Sequence, residues 1–224
     1  MRFSVLSSLL AFGCTSTANI VNLGTAKTYG VLTGSAGLTS TGLTVVTGDL
    51  GTTAKSVSGF GPGVVASGVK NIGNNAAIVA FADAQLAYAA AKGLKATADI
   101  SVLNDLTGKT MYPGVYFAAK TITLTGQLFL DAKGNTSATF VFQSGSALLI
   151  NLGSSIILTN GAKPSNVFWQ SGSAATIALG VAFQGNVLAY ANIAVKTGAS
   201  VKGSLIALTQ SVTLQTNAVQ AQTS

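Results

Sequence analysis

The chain has 224 residues, Lys+Arg 12 against Asp+Glu 5, a net charge of +7, and only 8% charged beside 48% hydrophobic residues. An average soluble domain carries about 25% charged residues; this one has no His and no Glu, so zinc, serine-triad and most acid–base chemistry lack their usual groups. High apolar content with modest net charge also excludes a disordered polymer, and the length is ample to bury a core.

Residues 1–18 read as a secretory signal: Arg2, then an apolar run over 3–12, then the small residues Ser16, Thr17 and Ala18. The run is too short to span a membrane. Cleavage after Ala18 is expected, leaving one domain over 19–224 that is secreted, extracellular and free of the membrane. It would remove Arg2 and Cys14, the only arginine and cysteine, so burial and backbone pairing, not disulfides, would hold the mature protein together.

A helix is predicted over about 75–95, entered at Asn74 as N-cap and rich in alanine. Val79, Ala82, Leu86 and Ala89 recur at helical spacing, and Ile78, Phe81 and Tyr88 widen that stripe, which is expected to lie against apolar strands.

From about residue 140 the chain repeats. Val167-Phe168-Trp169-Gln170, Val187-Leu188-Ala189-Tyr190 and Leu205-Ile206-Ala207-Leu208 align at offsets of 18 to 20 residues. An earlier copy, Phe140-Val141-Phe142-Gln143, precedes them. Second pieces follow: Ala175-Thr176-Ile177-Ala178, Ile193-Ala194-Val195-Lys196 and Val212-Thr213-Leu214-Gln215. In the first two copies a third short piece ends at Gly185 and Gly203. Three short strands per repeat, with turn residues at the corners, predict the coils of a β-solenoid rather than a sandwich.

The first strand of each coil is apolar on both sides, so something must cover it, and the 75–95 helix is the candidate. The second strand alternates. Ile122, Leu124, Ile177, Val195, Val212 and Leu214 take the inward parity; Thr121, Thr123, Thr125, Thr176, Ala178, Ala194, Ser211 and Thr213 take the other. Leu149, Asn151, Lys196 and Gln215 share that outward parity and interrupt it. Gln184 and Lys202, on the third strand, should face outward on a different side.

These features resemble the β-solenoid ice-binding (antifreeze) proteins secreted by cold-adapted microbes. The likeness rests on Asn22-Leu23-Gly24-Thr25-Ala26 with Tyr29-Gly30-Val31-Leu32, on Thr47-Gly48-Asp49-Leu50-Gly51, on Tyr112-Pro113-Gly114-Val115-Tyr116, on Leu124-Thr125-Gly126 and on the coils above. It implies a mostly β, discontinuous solenoid of triangular section, N-terminal coils stacked beside C-terminal ones and one long helix alongside. It also implies a flat face that binds ice, giving thermal hysteresis and inhibiting recrystallisation. The candidate ice-contacting residues are Thr39, Thr41, Thr121, Thr123, Thr176, Ala194, Ser211 and Thr213. Some members carry a regular Thr-Ala/Gly-x-Thr/Asn motif on that face; here only pieces such as Ser173-Ala174-Ala175-Thr176 are present.

The expected partner is ice or an ordered water surface, met by a monomer without metal or cofactor. A non-enzymatic secreted adhesion or matrix module is the alternative. The scattered lysines argue against nucleic acid, and five dispersed Asp residues argue against a carbohydrate-active enzyme. Trp169 and the phenylalanines are expected in the core, and Asp49 at a turn. Asn135-Thr136-Ser137 is the one N-glycosylation sequon.

Overall fold

The computed structural model describes residues 21–103 and 105–222; the signal reading of 1–18 falls outside them. The strands form three all-parallel sheets of nine, six and eight members, and a complete coil contributes one strand to each. One coil is Val167–Ser171, Ala175–Ile177 and Ala182–Gln184; the next is Asn186–Ala189, Ile193–Val195 and Ser200–Lys202; the last is Leu205–Ala207, Val212–Gln215 and Ala218–Gln220. Three strands per coil are what the repeats predict, and three walls make the triangular section that the resemblance implies.

The stacking order is not the chain order. The last coil pairs with the first one, Tyr29–Thr33, Leu38–Thr41 and Val45–Thr47, in all three sheets: Val31 lies beside Leu205, Thr39 beside Thr213 and Val45 beside Ala218. Asp49–Thr52 and Lys70–Ile72 continue the nine-stranded sheet beyond Tyr29–Thr33, while Ala98–Asp99 closes its other end. The helix α1, Asn75–Gly93, connects these two ends. Nineteen residues rise about 28 Å, enough to run along most of the sheet.

Both ends of α1 are tied. The Asn74 side chain accepts from the Ala77 N–H at 3.0 Å, the N-cap the sequence predicts. At the other end Gln143, on the sheet below, donates from Nε2 to the carbonyls of Ala91 at 2.7 Å and Leu94 at 2.9 Å.

The face that α1 buries differs from the expected one. Ala77, Ala80, Ala84, Ala87, Tyr88 and Ala91 are buried. Val79, Ala82, Leu86 and Ala89 are exposed, with Leu86 69% accessible. The sheet explains this. Its outward side carries Leu32, Val115, Val141, Phe168, Leu188 and Ile206, all buried against the helix. Large side chains on the sheet favour small ones on α1, and close packing selects alanine at every buried position except Tyr88, whose hydroxyl accepts from Gln170 Nε2 at 3.1 Å.

Inside the triangle, the rings of Tyr116, Phe142 and Trp169, from successive coils, stack, and Phe183, from the same coil as Trp169, tilts against the end of the row. Tyr116 and Phe142 lie 5.3 Å apart, Phe142 and Trp169 4.1 Å, and Trp169 and Phe183 5.7 Å, measured between ring centroids. Trp169 is buried and its indole N–H donates to the Gln184 carbonyl at 3.0 Å. Coils fixed by such a ladder, by parallel hydrogen bonds and by aliphatic layers form a rigid prism.

Candidate functional site

The helix covers one wall of the prism and leaves two in solvent. The six-stranded wall is built from Ile122–Leu124, Leu148–Ile150, Ala175–Ile177, Ile193–Val195, Val212–Gln215 and Leu38–Thr41. Ile122, Leu124, Ile150, Ile177, Val195, Val212 and Leu214 are buried, so the inward parity is as the alternation requires.

The opposite parity forms an outward column in continuous register: Thr123, Leu149, Thr176, Ala194, Thr213 and Thr39. An isolated bridge from Thr39 to Ser58 adds one more level. Thr121 and Ser211 lie one alternate position to one side, and Thr41 to the other, where it pairs with Gln215. Thus all eight sequence-derived candidates share this wall, and Thr39 and Thr41 join it through the return of the N-terminal coil. Coil spacing of 4.7–4.9 Å over seven levels and about 6.6 Å between alternate residues give a patch roughly 30 Å by 13 Å.

The patch is nearly free of charge; Lys196, in the Thr41 column, is the exception among its outward positions. Its hydroxyls are also largely unengaged. Among the described residues, only Thr41, which reaches the Leu214 carbonyl at 3.5 Å, and Thr125 bond back to protein. Thr125 donates to Asp105, whose carboxylate also holds the Thr107 hydroxyl at 2.7 Å. Partial burial pushes the Asp105 carboxyl up, but the bonds from Thr125 and Thr107 outweigh it and hold it below its ordinary value of 3.8. This cluster fixes the corner at one end of the wall.

The other exposed wall is chemically different. Along Gln127–Asp131, Ser155–Thr159, Ala182–Gln184, Ser200–Lys202, Ala218–Gln220 and Val45–Thr47, the outward residues include Phe129, Ile157, Gln184, Lys202 and Gln220. Long amides, an ammonium and bulky apolar groups make an uneven surface, and the register between the strands carrying Ile157 and Gln184 is limited to Ser155 beside Ala182.

Among the described residues, no three His, Cys, Asp or Glu side chains converge as metal ligands, and no helix is long and apolar enough to cross a membrane. Asp49 accepts from the Thr28 hydroxyl at 2.6 Å and from the Val69 N–H at 2.8 Å, joining neighbouring coils.

The model of the ice-binding-like family matches residues 32–220. The chain belongs to that family. It is similar to an ice-binding protein of Nostoc sp. (strain HG1), 40% identical over 97% of this chain and 82% of the relative. An ice-binding protein of Flavobacterium frigoris (strain PS1) is 31% identical, over 91% of this chain and 77% of its own length. Among solved structures, the ice-binding protein of the Antarctic ascomycete Antarctomyces psychrotrophicus superposes with a TM-score of 0.88 at 41% identity, covering 91% of this chain and 99% of that one.

For this family member, sequence reasoning missed Ser58. That residue sits in a connection without a strand-like pattern, and only its backbone bridge to Thr39 brings it to the wall.

Proposed function

We propose that this protein is a secreted, monomeric, non-enzymatic ice-binding protein, released after removal of residues 1–18, and that it adsorbs to ice through the six-stranded wall. The observation that carries the reading is the uncharged outward column Thr123, Thr176, Ala194, Thr213 and Thr39, held in register on an uncovered sheet.

Threonine presents a methyl and a hydroxyl on a side chain with restricted χ1 freedom. On a rigid parallel sheet these groups form a two-dimensional grid. The methyls cage a first layer of water, and the hydroxyls anchor it. That ordered layer merges with the crystal, so many weak contacts act together over the flat area. Adsorbed molecules pin the ice front, which must bulge between them, and growth and recrystallisation stop within a range of supercooling.

The test is a bulky side chain placed outward. Thr176→Tyr and Ala194→Tyr are expected to abolish most thermal hysteresis while stability moves by less than about 0.5 kcal/mol, the usual range for surface changes. Gln184→Tyr, on the other exposed wall, is expected to leave hysteresis intact. Loss in Gln184→Tyr alone would move the ice-binding surface to the eight-stranded wall. Unchanged hysteresis in all three would remove both walls as ice-binding surfaces.

A further inference from the structure

The vertex of the prism that lies opposite the six-stranded wall carries a second feature. There the chain passes from the eight-stranded to the nine-stranded sheet, and most coils turn tightly. Gly185 alone separates Ala182–Gln184 from Asn186–Ala189, at φ 112°, a conformation L side chains rarely adopt. Two coils depart from this. Residues 132–139 and 160–166 form longer excursions stacked on each other: the Gly134 N–H donates to the Asn160 carbonyl at 2.8 Å, and Asn166 Nδ2 donates to the Thr136 carbonyl at 3.2 Å.

The sequon Asn135-Thr136-Ser137 occupies the outer turn of the first excursion, and all three residues are exposed. The Ser137 N–H donates to Asn135 Oδ1 at 2.9 Å, which turns the carboxamide oxygen back on the chain. Among the described residues none accepts a hydrogen bond from Asn135 Nδ2, so the nucleophilic nitrogen is left toward solvent.

We propose that Asn135 is an N-glycosylation site, and that its glycan stands on the side of the molecule away from the six-stranded wall. The donor class is an oligosaccharide carried through an N-acetylglucosamine on a polyprenyl diphosphate, transferred in a secretory compartment. Asn135 Nδ2 forms a bond to C1 of that sugar. The C1–O bond to the diphosphate breaks, polyprenyl diphosphate leaves with the electron pair, and the amide nitrogen gives up one proton to the transferase. A bulky hydrophilic group at this vertex adds solubility without entering the threonine patch.

The experiment secretes the full chain from a yeast and measures its intact mass before and after peptide N-glycosidase. One glycan is expected on the parent, with aspartate left at position 135 after enzymatic release. Asn135→Gln and Ser137→Ala are both expected to carry none; the second variant keeps the backbone N–H that bonds Asn135, so its loss reports the sequon rather than the fold. Ser137→Thr is expected to retain the glycan. A secreted parent of bare polypeptide mass, or a glycan persisting in Asn135→Gln, overturns the site. Thermal hysteresis is expected to be equal for the glycosylated and enzymatically released forms, and a loss confined to the glycosylated form overturns the placement away from the wall. Occupancy is read by mass alone, so it stands or falls separately from the ice-binding proposal.

Discussion

Thr39 and Thr213, near opposite ends of the chain, are direct register partners in the six-stranded wall. The return of the N-terminal coil onto the last C-terminal coil therefore lengthens the outward column instead of merely capping the solenoid. Thr39→Tyr is expected to reduce thermal hysteresis as severely as Thr213→Tyr, with circular-dichroism melting curves unchanged. A Thr39→Tyr variant with parental hysteresis would confine the ice-binding surface to the C-terminal coils.

The packing of α1 separates two substitutions that sequence periodicity would rank the other way. Ala84 is fully buried and Leu86 is 69% accessible. Ala84→Leu forces a large side chain onto the sheet and is expected to destabilise by about 1–3 kcal/mol, the range for overpacking. Leu86→Asp is expected to cost less than about 0.5 kcal/mol as a surface change. Chemical denaturation of both variants checks the pair, and the opposite ranking would reverse the assigned face.

That contrast shows how far the sequence could be read. The coils were legible because inward and outward residues alternate with period 2, as at Ile177 and Val195 against Thr176 and Ala194. Helix existence was legible too, from the alanine run and Asn74. Its orientation was not. Apolar residues occur all around α1, so a 3.6-residue period fits several faces. The choice is made by Phe168 and Leu188 on the sheet, far away in sequence. Ser58 was illegible for a related reason, since it reaches the wall by a backbone bridge and not by a strand pattern.

Gln143 is the side chain that ties the end of α1 to the sheet, through Ala91 and Leu94. Gln143→Ala would leave the buried Ala91 carbonyl and the half-buried Leu94 carbonyl without those donors, and about 1–3 kcal/mol of destabilisation is expected. Hydrogen exchange should quicken first at the C-terminal turns of α1. Uniform protection equal to that of the parent would show that water replaces the bonds at no cost.

The titrating groups give stability a specific pH profile. The carboxyls of Asp83, Asp99, Asp105 and Asp131 all lie below their ordinary value of 3.8, largely through hydrogen bonds from neighbouring N–H and hydroxyl groups. A depressed carboxyl stabilises the fold above its unfolded value and loses that contribution as pH falls through the folded one. Burial raises the tyrosines Tyr29, Tyr88 and Tyr116 above 10.0. They favour the fold below that value and lose the contribution as pH climbs through their raised values. With no histidine in the chain, the melting temperature is expected to be flat from about pH 5 to 9 and to fall on either side. A step near pH 6.5 in a melting series would contradict this assignment.

Leu149 interrupts the outward column between Thr123 and Thr176 and remains 37% accessible. Its isobutyl group stands higher than the threonine methyls beside it, so an ice-like water layer must rise over it. Leu149→Thr restores both the height and the hydroxyl of the neighbouring positions without touching the core, where Leu148 and Ile150 supply the inward contacts. Thermal hysteresis is expected to rise in this variant, with stability changed by less than about 0.5 kcal/mol. Leu149→Lys is expected to lower it, because a hydrated ammonium would sit inside the patch. Should Leu149→Thr instead weaken hysteresis at unchanged stability, the apolar height of Leu149 is part of the contact, and caging of water by hydrocarbon outweighs flatness at that level of the wall.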